Sequence, residues 1–83
     1  MMKLELYHFE SCPYCVKVRK VIDTLGLKAK ITYFDTLKDE SAQKRLEIMN
    51  GDDQVPCLVI DGKPLLESDD IIQWLNKNKA ALV

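Results

Sequence analysis

The segment Val55-Pro56-Cys57-Leu58-Val59-Ile60-Asp61-Gly62-Lys63-Pro64-Leu65-Leu66 decides the fold. Cys57 to Ile60 is an unbroken apolar run of strand length, which suits a strand buried on both faces. Asp61-Gly62 is a strong two-residue hairpin signal, because the favoured turn needs positive φ at its centre. Lys63 to Leu66 is then the returning strand. Pro64 has no N–H for a ladder, so this strand is expected at a sheet edge.

Outward from the hairpin, the chain alternates between two periods. Leu4 and Leu6 interleave with Lys3, Glu5 and Tyr7, the pattern of a half-buried strand. From Cys15 to Leu25 the period becomes helical, with Val18, Val21, Ile22 and Leu25 on one stripe and Lys17, Arg19, Lys20 and Asp23 between them. Gly26 ends that helix. Ile31-Thr32-Tyr33-Phe34 is a second strand, rich in β-branched and aromatic residues. Ser41 to Asn50 is helical again, with Ala42, Leu46 and Met49 on one stripe, Asp39 or Ser41 as cap and Gly51 after its end. Ser68 to Asn78 is the last helix, with Ile71, Ile72 and Leu75 inward and Trp74 packed beside them. The order β-α-β-α-β-β-α combines a right-handed parallel βαβ unit with an antiparallel hairpin. It predicts an α/β fold, a four-stranded mixed sheet flanked on both faces by three helices. No repeat or linker interrupts it, so residues 1–83 are expected to form a single domain.

Composition narrows the function. Lys and Arg number 12 against 13 Asp and Glu, a net charge of -1, which argues against a nucleic-acid partner. Hydrophobic residues make up 47% of the chain, a globular rather than a disordered fraction. No apolar run approaches the ~18 residues of a membrane span. Met1-Met2-Lys3-Leu4-Glu5 has no signal-peptide core, so a cytoplasmic location is expected. The three cysteines, Cys12, Cys15 and Cys57, make a poor disulfide framework. In a reducing compartment a close cysteine pair is catalytic or metal-binding. Nothing in the sequence calls for more than a monomer.

Phe9-Glu10-Ser11-Cys12-Pro13-Tyr14-Cys15 lies between the first strand and the first helix. Pro13 suits the first helical position, which puts Cys12 at the N-cap. Free backbone N–H groups and the positive end of the helix dipole favour a thiolate there over a thiol. Cys15 falls on the same side of the first turn and is expected to be less exposed. That asymmetry makes Cys12 the attacking sulfur and Cys15 the resolving thiol. A structural zinc site needs about four ligands, and only Cys57 and His8 remain to complete one, so no metal is expected.

Cys12-Pro13-Tyr14-Cys15 resembles the active-site motif of dithiol glutaredoxins. Val55-Pro56 is similar to the segment that holds a cis-proline in thioredoxin-like folds. Glu67-Ser68-Asp69-Asp70 resembles the segment that grips the γ-glutamyl end of glutathione, and its Glu-Ser form is similar to the amino-terminal domain of glutathione transferases. The resemblance runs from about Leu4 to Asn78. It implies a thioredoxin-like fold and a thiol–disulfide oxidoreductase of cell redox homeostasis. Glutathione is the implied reductant and partner, with disulfide-containing or glutathionylated proteins as substrates and no permanently bound cofactor. Cys12 and Cys15 are the implied redox pair. Tyr14, Val55, Pro56, Glu67, Ser68 and Asp69 are the implied glutathione contacts. A glutathione-ligated iron–sulfur cluster carrier is the alternative, disfavoured by Pro13.

The chain also departs from the glutaredoxin pattern. Phe9 stands where many members carry a lysine, Gln54 replaces a threonine, and Leu66-Glu67 replace a glycine pair. Lys17 and Arg19 are read as a solvated helix face, His8 as a strand-end or surface residue, and Cys57 as a small buried hydrophobe.

Overall fold

A computed structural model describes residues 3–82. Met1, Met2 and Val83 lie outside the described residues, so the reading of the extreme N-terminus is not addressed by it.

Strand β1 (Leu4–His8) runs through the middle of the sheet. It pairs in parallel with β2 (Ile31–Asp35), Leu4 opposite Ile31 and His8 opposite Asp35. On its other side it pairs antiparallel with β3 (Cys57–Ile60), Tyr7 opposite Cys57. β3 pairs antiparallel with β4 (Lys63–Leu65), and the strand order is β2-β1-β3-β4. Pro64 therefore sits on an outer strand, opposite Val59. Asp61 and Gly62 both take positive φ, 49° and 85°, the combination that turns a tight hairpin with the twist of its strands. Asp61 also binds the start of β1: its N–H donates to Lys3 O at 2.9 Å, and its carboxylate accepts from Lys3 N at 2.7 Å.

Successive strand side chains point to opposite faces, so the sheet splits the interior in two. Leu4 and Leu6 of β1 and Leu58 of β3 meet Val18, Ile22, Ile71 and Leu75 on one side. Those four come from α1 (Pro13–Thr24) and α3 (Ser68–Leu82), which share that face. Tyr7, Cys57 and Val59 meet Ala42 and Leu46 of α2 (Glu40–Asn50) on the other. Each fully buried leucine contributes roughly 1.5–3 kcal/mol of transfer free energy to this arrangement. Trp74 is half-buried and packs against the first of these clusters. Asp39 caps α2, accepting from Ser41 N and Ala42 N, and Gly51 ends it at φ 80°.

The structure corrects the sequence reading in several places. β1 is not half-buried: Tyr7 and His8 are both covered, because a central strand has a layer on each face. A short 3-10 turn at Lys28–Lys30 precedes β2. α3 does not stop at Asn78 but runs to Leu82, where the leucine joins the core; Ala80 and Ala81 are strong helix formers with no breaker before them. Ser68 is the first residue of α3, and Ile71 N donates to Glu67 O at 3.0 Å, which gives Glu67 the cap position. Ile72 is only half-buried.

Candidate active site

The loop between β1 and α1 carries the cysteine pair. Cys12 occupies the N-cap of α1 in an extended conformation, φ -75° and ψ 118°, with Pro13 beginning the helix. Its carbonyl accepts the first helical bond, from Val16 N at 3.0 Å, and its N–H donates to Phe9 O at 3.3 Å. The Cys12 sulfur makes no capping hydrogen bond. Cys12 is 6% exposed and Cys15 fully buried, the order expected from the helix geometry.

Burial pushes the Cys15 thiol up to about 12, and its hydrogen bond and charge repulsion with Cys12 push the same way. A hydrogen bond from the Phe9 backbone and the positive charge of Arg19 oppose the rise. Cys57 is buried on the α2 side of the sheet. Burial raises its thiol too, against a hydrogen bond from Asn50 Nδ2 at 3.5 Å.

A cleft of about 410 Å³ opens beside this loop. It is lined by Tyr14, Gln54, Val55, Pro56, Glu67, Ser68 and Asp69. The structure thus brings together the six residues singled out as ligand contacts, although they come from three separate parts of the chain. The two cysteines do not line the cleft; its wall begins at Tyr14, which is 60% exposed. The Val55-Pro56 bond is cis. Val55 takes no part in the ladder of β3, which starts at Cys57. Glu67 holds a left-handed φ of 71°, a conformation that costs a residue with a Cβ roughly 1–2 kcal/mol.

Sequence reasoning missed Gln54 as a contributor. Its Nε2 donates to Glu67 Oε1 at 3.1 Å, so two of the three departures from the glutaredoxin pattern are bonded to each other. Lys17 is exposed, as the sequence reading has it, and its Nζ lies 3.1 Å from Asp69 Oδ1. Arg19, by contrast, is not simply solvated. Its guanidinium is partly buried against His8, Phe9 and Glu10 of the cysteine loop. His8 is a strand-end residue but not a surface one; burial, with Arg19 beside it, lowers its pKa from 6.5. A signal for Arg19 existed, since it follows buried Val18 and lies four residues after Cys15, on the border of the inward stripe.

A sequence model of the glutathione S-transferase N-terminal domain matches residues 6–81. The chain belongs to the glutathione S-transferase N-terminal domain family. This family member is also similar to glutaredoxins. It is 33% identical over 75 residues to "Glutaredoxin-C6" of Oryza sativa subsp. japonica, a match covering 89% of this chain and 67% of that one. It is 43% identical over 53 residues to a glutaredoxin of Ricinus communis, covering 63% of this chain. The match spans about half, 52%, of the Ricinus protein. Among solved structures, a wheat glutaredoxin superposes with a TM-score of 0.70 at 28% identity, over 95% of this chain and 76% of that one. The mixed sheet with its three helices is the thioredoxin-like fold of these relatives, as the sequence predicts.

Proposed function

We propose that this chain is a glutathione-dependent thiol–disulfide oxidoreductase that acts on mixed disulfides between glutathione and a protein. The observation that carries the reading is the position of Cys12, at the first turn of α1, with a ligand-sized cleft beginning two residues away at Tyr14. The similarity to glutaredoxins supports the choice of chemistry.

In the reaction, the Cys12 thiolate attacks the glutathionyl sulfur of the mixed disulfide. The client's sulfur leaves with the electron pair of the broken S–S bond, and glutathione remains on Cys12. A second glutathione thiolate then attacks that disulfide, which frees Cys12 as thiolate and yields oxidised glutathione. Alternatively Cys15 attacks Cys12 and expels glutathione, leaving an internal disulfide that two glutathione molecules reduce.

The environment of Cys15 keeps it from competing with Cys12 in the first step. Its thiol is held protonated by burial and by Cys12. The hydrogen bond to Cys12 and the charge on it vanish once Cys12 is in a disulfide, so Cys15 becomes easier to ionise only after the first step.

The cleft suits the glutathione half. Val55 lies outside the ladder of β3, beside cis Pro56, and its backbone would pair with a peptide-like ligand. The start of α3 at Ser68 favours a carboxylate, and Asp69 favours an ammonium group.

A coupled assay with glutathione, glutathione reductase and a small glutathione mixed disulfide tests the reading. Turnover that Cys12→Ser abolishes supports it. No turnover by the wild-type chain, or turnover that survives Cys12→Ser, rejects it.

A further inference from the structure

The guanidinium of Arg19 reaches back from α1 to three successive residues, the last of β1 and the first two of the loop that leads to Cys12. Nη1 lies 2.9 Å from His8 Nδ1 and donates to Phe9 O at 3.3 Å, and Nη2 donates to Glu10 O at 3.1 Å. The Phe9 oxygen has a second donor, the Cys12 N–H at 3.3 Å. One carbonyl therefore joins Arg19 to the backbone of the candidate nucleophile. The Phe9 backbone also bears on the other sulfur, since it opposes the rise of the Cys15 pKa. Arg19 has donors only, in a rigid planar fork, so the His8 nitrogen facing it must carry a lone pair. That fixes His8 as neutral, with its proton on Nε2.

We propose that Arg19 is a positioning residue for Cys12: its fork holds the Phe9 and Glu10 carbonyls, with neutral His8 as third acceptor, and so sets the path of the loop into the first turn of α1. The proposal rests on Cys12 being the reactive sulfur. It differs from a general stabilising role because the clamp acts on the backbone on which the nucleophile is hung. Neutrality of His8 is part of it. The groups facing His8 are Arg19 from α1, Asp35 and Tyr33 from β2, Glu10 from its own loop, and Lys38 from the segment after β2. Burial and Arg19 keep the ring neutral, against Asp35 and Glu10.

Alkylation of Cys12 by iodoacetamide, followed by mass spectrometry across an acid-to-alkaline pH series, tests the clamp without any glutathione. The proteins compared are the wild type, Arg19→Met, Arg19→Lys and His8→Asn, whose side-chain oxygen can accept where Nδ1 does. With the clamp as described, Arg19→Met unfolds cooperatively yet alkylates Cys12 about tenfold or more slowly at neutral pH, a cost typical of a misplaced reacting group. Arg19→Lys, which keeps the charge but loses the fork, recovers only a minor part of that rate. His8→Asn keeps the wild-type rate at neutral pH and retains more of it on the acid side than the wild type does. An Arg19→Met protein that alkylates like wild type while only melting earlier overturns the proposal. So does full recovery in Arg19→Lys, which would make the effect one of charge alone. If Arg19→Met does not fold, the comparison of Arg19→Lys with the wild type decides on the same terms. A wild type inert toward glutathione disulfides but dependent on Arg19 in alkylation sinks the proposed function and leaves the clamp standing. An active wild type indifferent to Arg19 does the reverse.

Discussion

Lys17 Nζ and Asp69 Oδ1 lie 3.1 Å apart and join the second turn of α1 to the first turn of α3, where Asp69 lines the cleft. Both side chains are largely exposed, so the pair is screened by water and adds little to stability. Lys17→Met is expected to change the unfolding free energy by less than about 1 kcal/mol in urea titrations. Asp69→Asn is expected to act on binding instead. In steady-state kinetics it raises the KM for glutathione roughly tenfold, the scale of a lost charged hydrogen bond, with kcat little altered. Equal losses in KM and kcat would contradict a purely binding role for this carboxylate.

Glu67 separates backbone from side chain. At φ 71° a β-branched side chain is worse than glutamate, and glycine is relieved of strain. Denaturant titration of Glu67→Val is expected to show a loss larger by about 1–2 kcal/mol than that of Glu67→Gly. Glu67→Gly should stay near the wild type, because the relief is offset by the greater freedom of glycine in the unfolded chain.

Cys15 makes stability fall in alkali. Its folded value of about 12 lies above the ordinary 9.0, so between these two values the unfolded chain loses a proton that the folded one keeps. The stabilisation is complete below about pH 9 and is lost as pH rises through that window. Melting temperatures of Cys15→Ala should therefore decline less steeply with alkaline pH than those of the wild type. A remaining slope is expected from Cys57, whose thiol is raised in the same direction.

His8 acts at the other end of the scale. Its folded pKa lies below 6.5, so the unfolded chain binds a proton that the folded one resists. Stability is therefore present above 6.5 and is lost as pH falls from there toward the lower folded value. Melting curves of His8→Asn across mildly acid pH should lack that part of the slope.

Much of the fold is legible because each element carries its own local signal. The apolar run at Cys57 to Ile60, the Asp61-Gly62 turn and the helical stripe through Val18 and Ile22 need no tertiary information. The cleft residues are legible only through resemblance, since nothing local links Tyr14, Val55 and Ser68. Three features escaped for a shared reason, which is that tertiary neighbours decide them. Tyr7 is buried because β1 is central, which its alternating sequence does not say. Arg19 reads as a helix-surface charge until the loop folds back onto it. Gln54 becomes part of the cleft only because Glu67 is brought opposite it.

The two borders of the sheet are not equivalent. At Pro64 the outer strand β4 lacks a donor, so a foreign strand laid along it would find one rung of the ladder missing. No proline interrupts the opposite border, Ile31–Asp35. A strand added from another copy would meet no such gap along β2, so the proline guards only one border of the sheet.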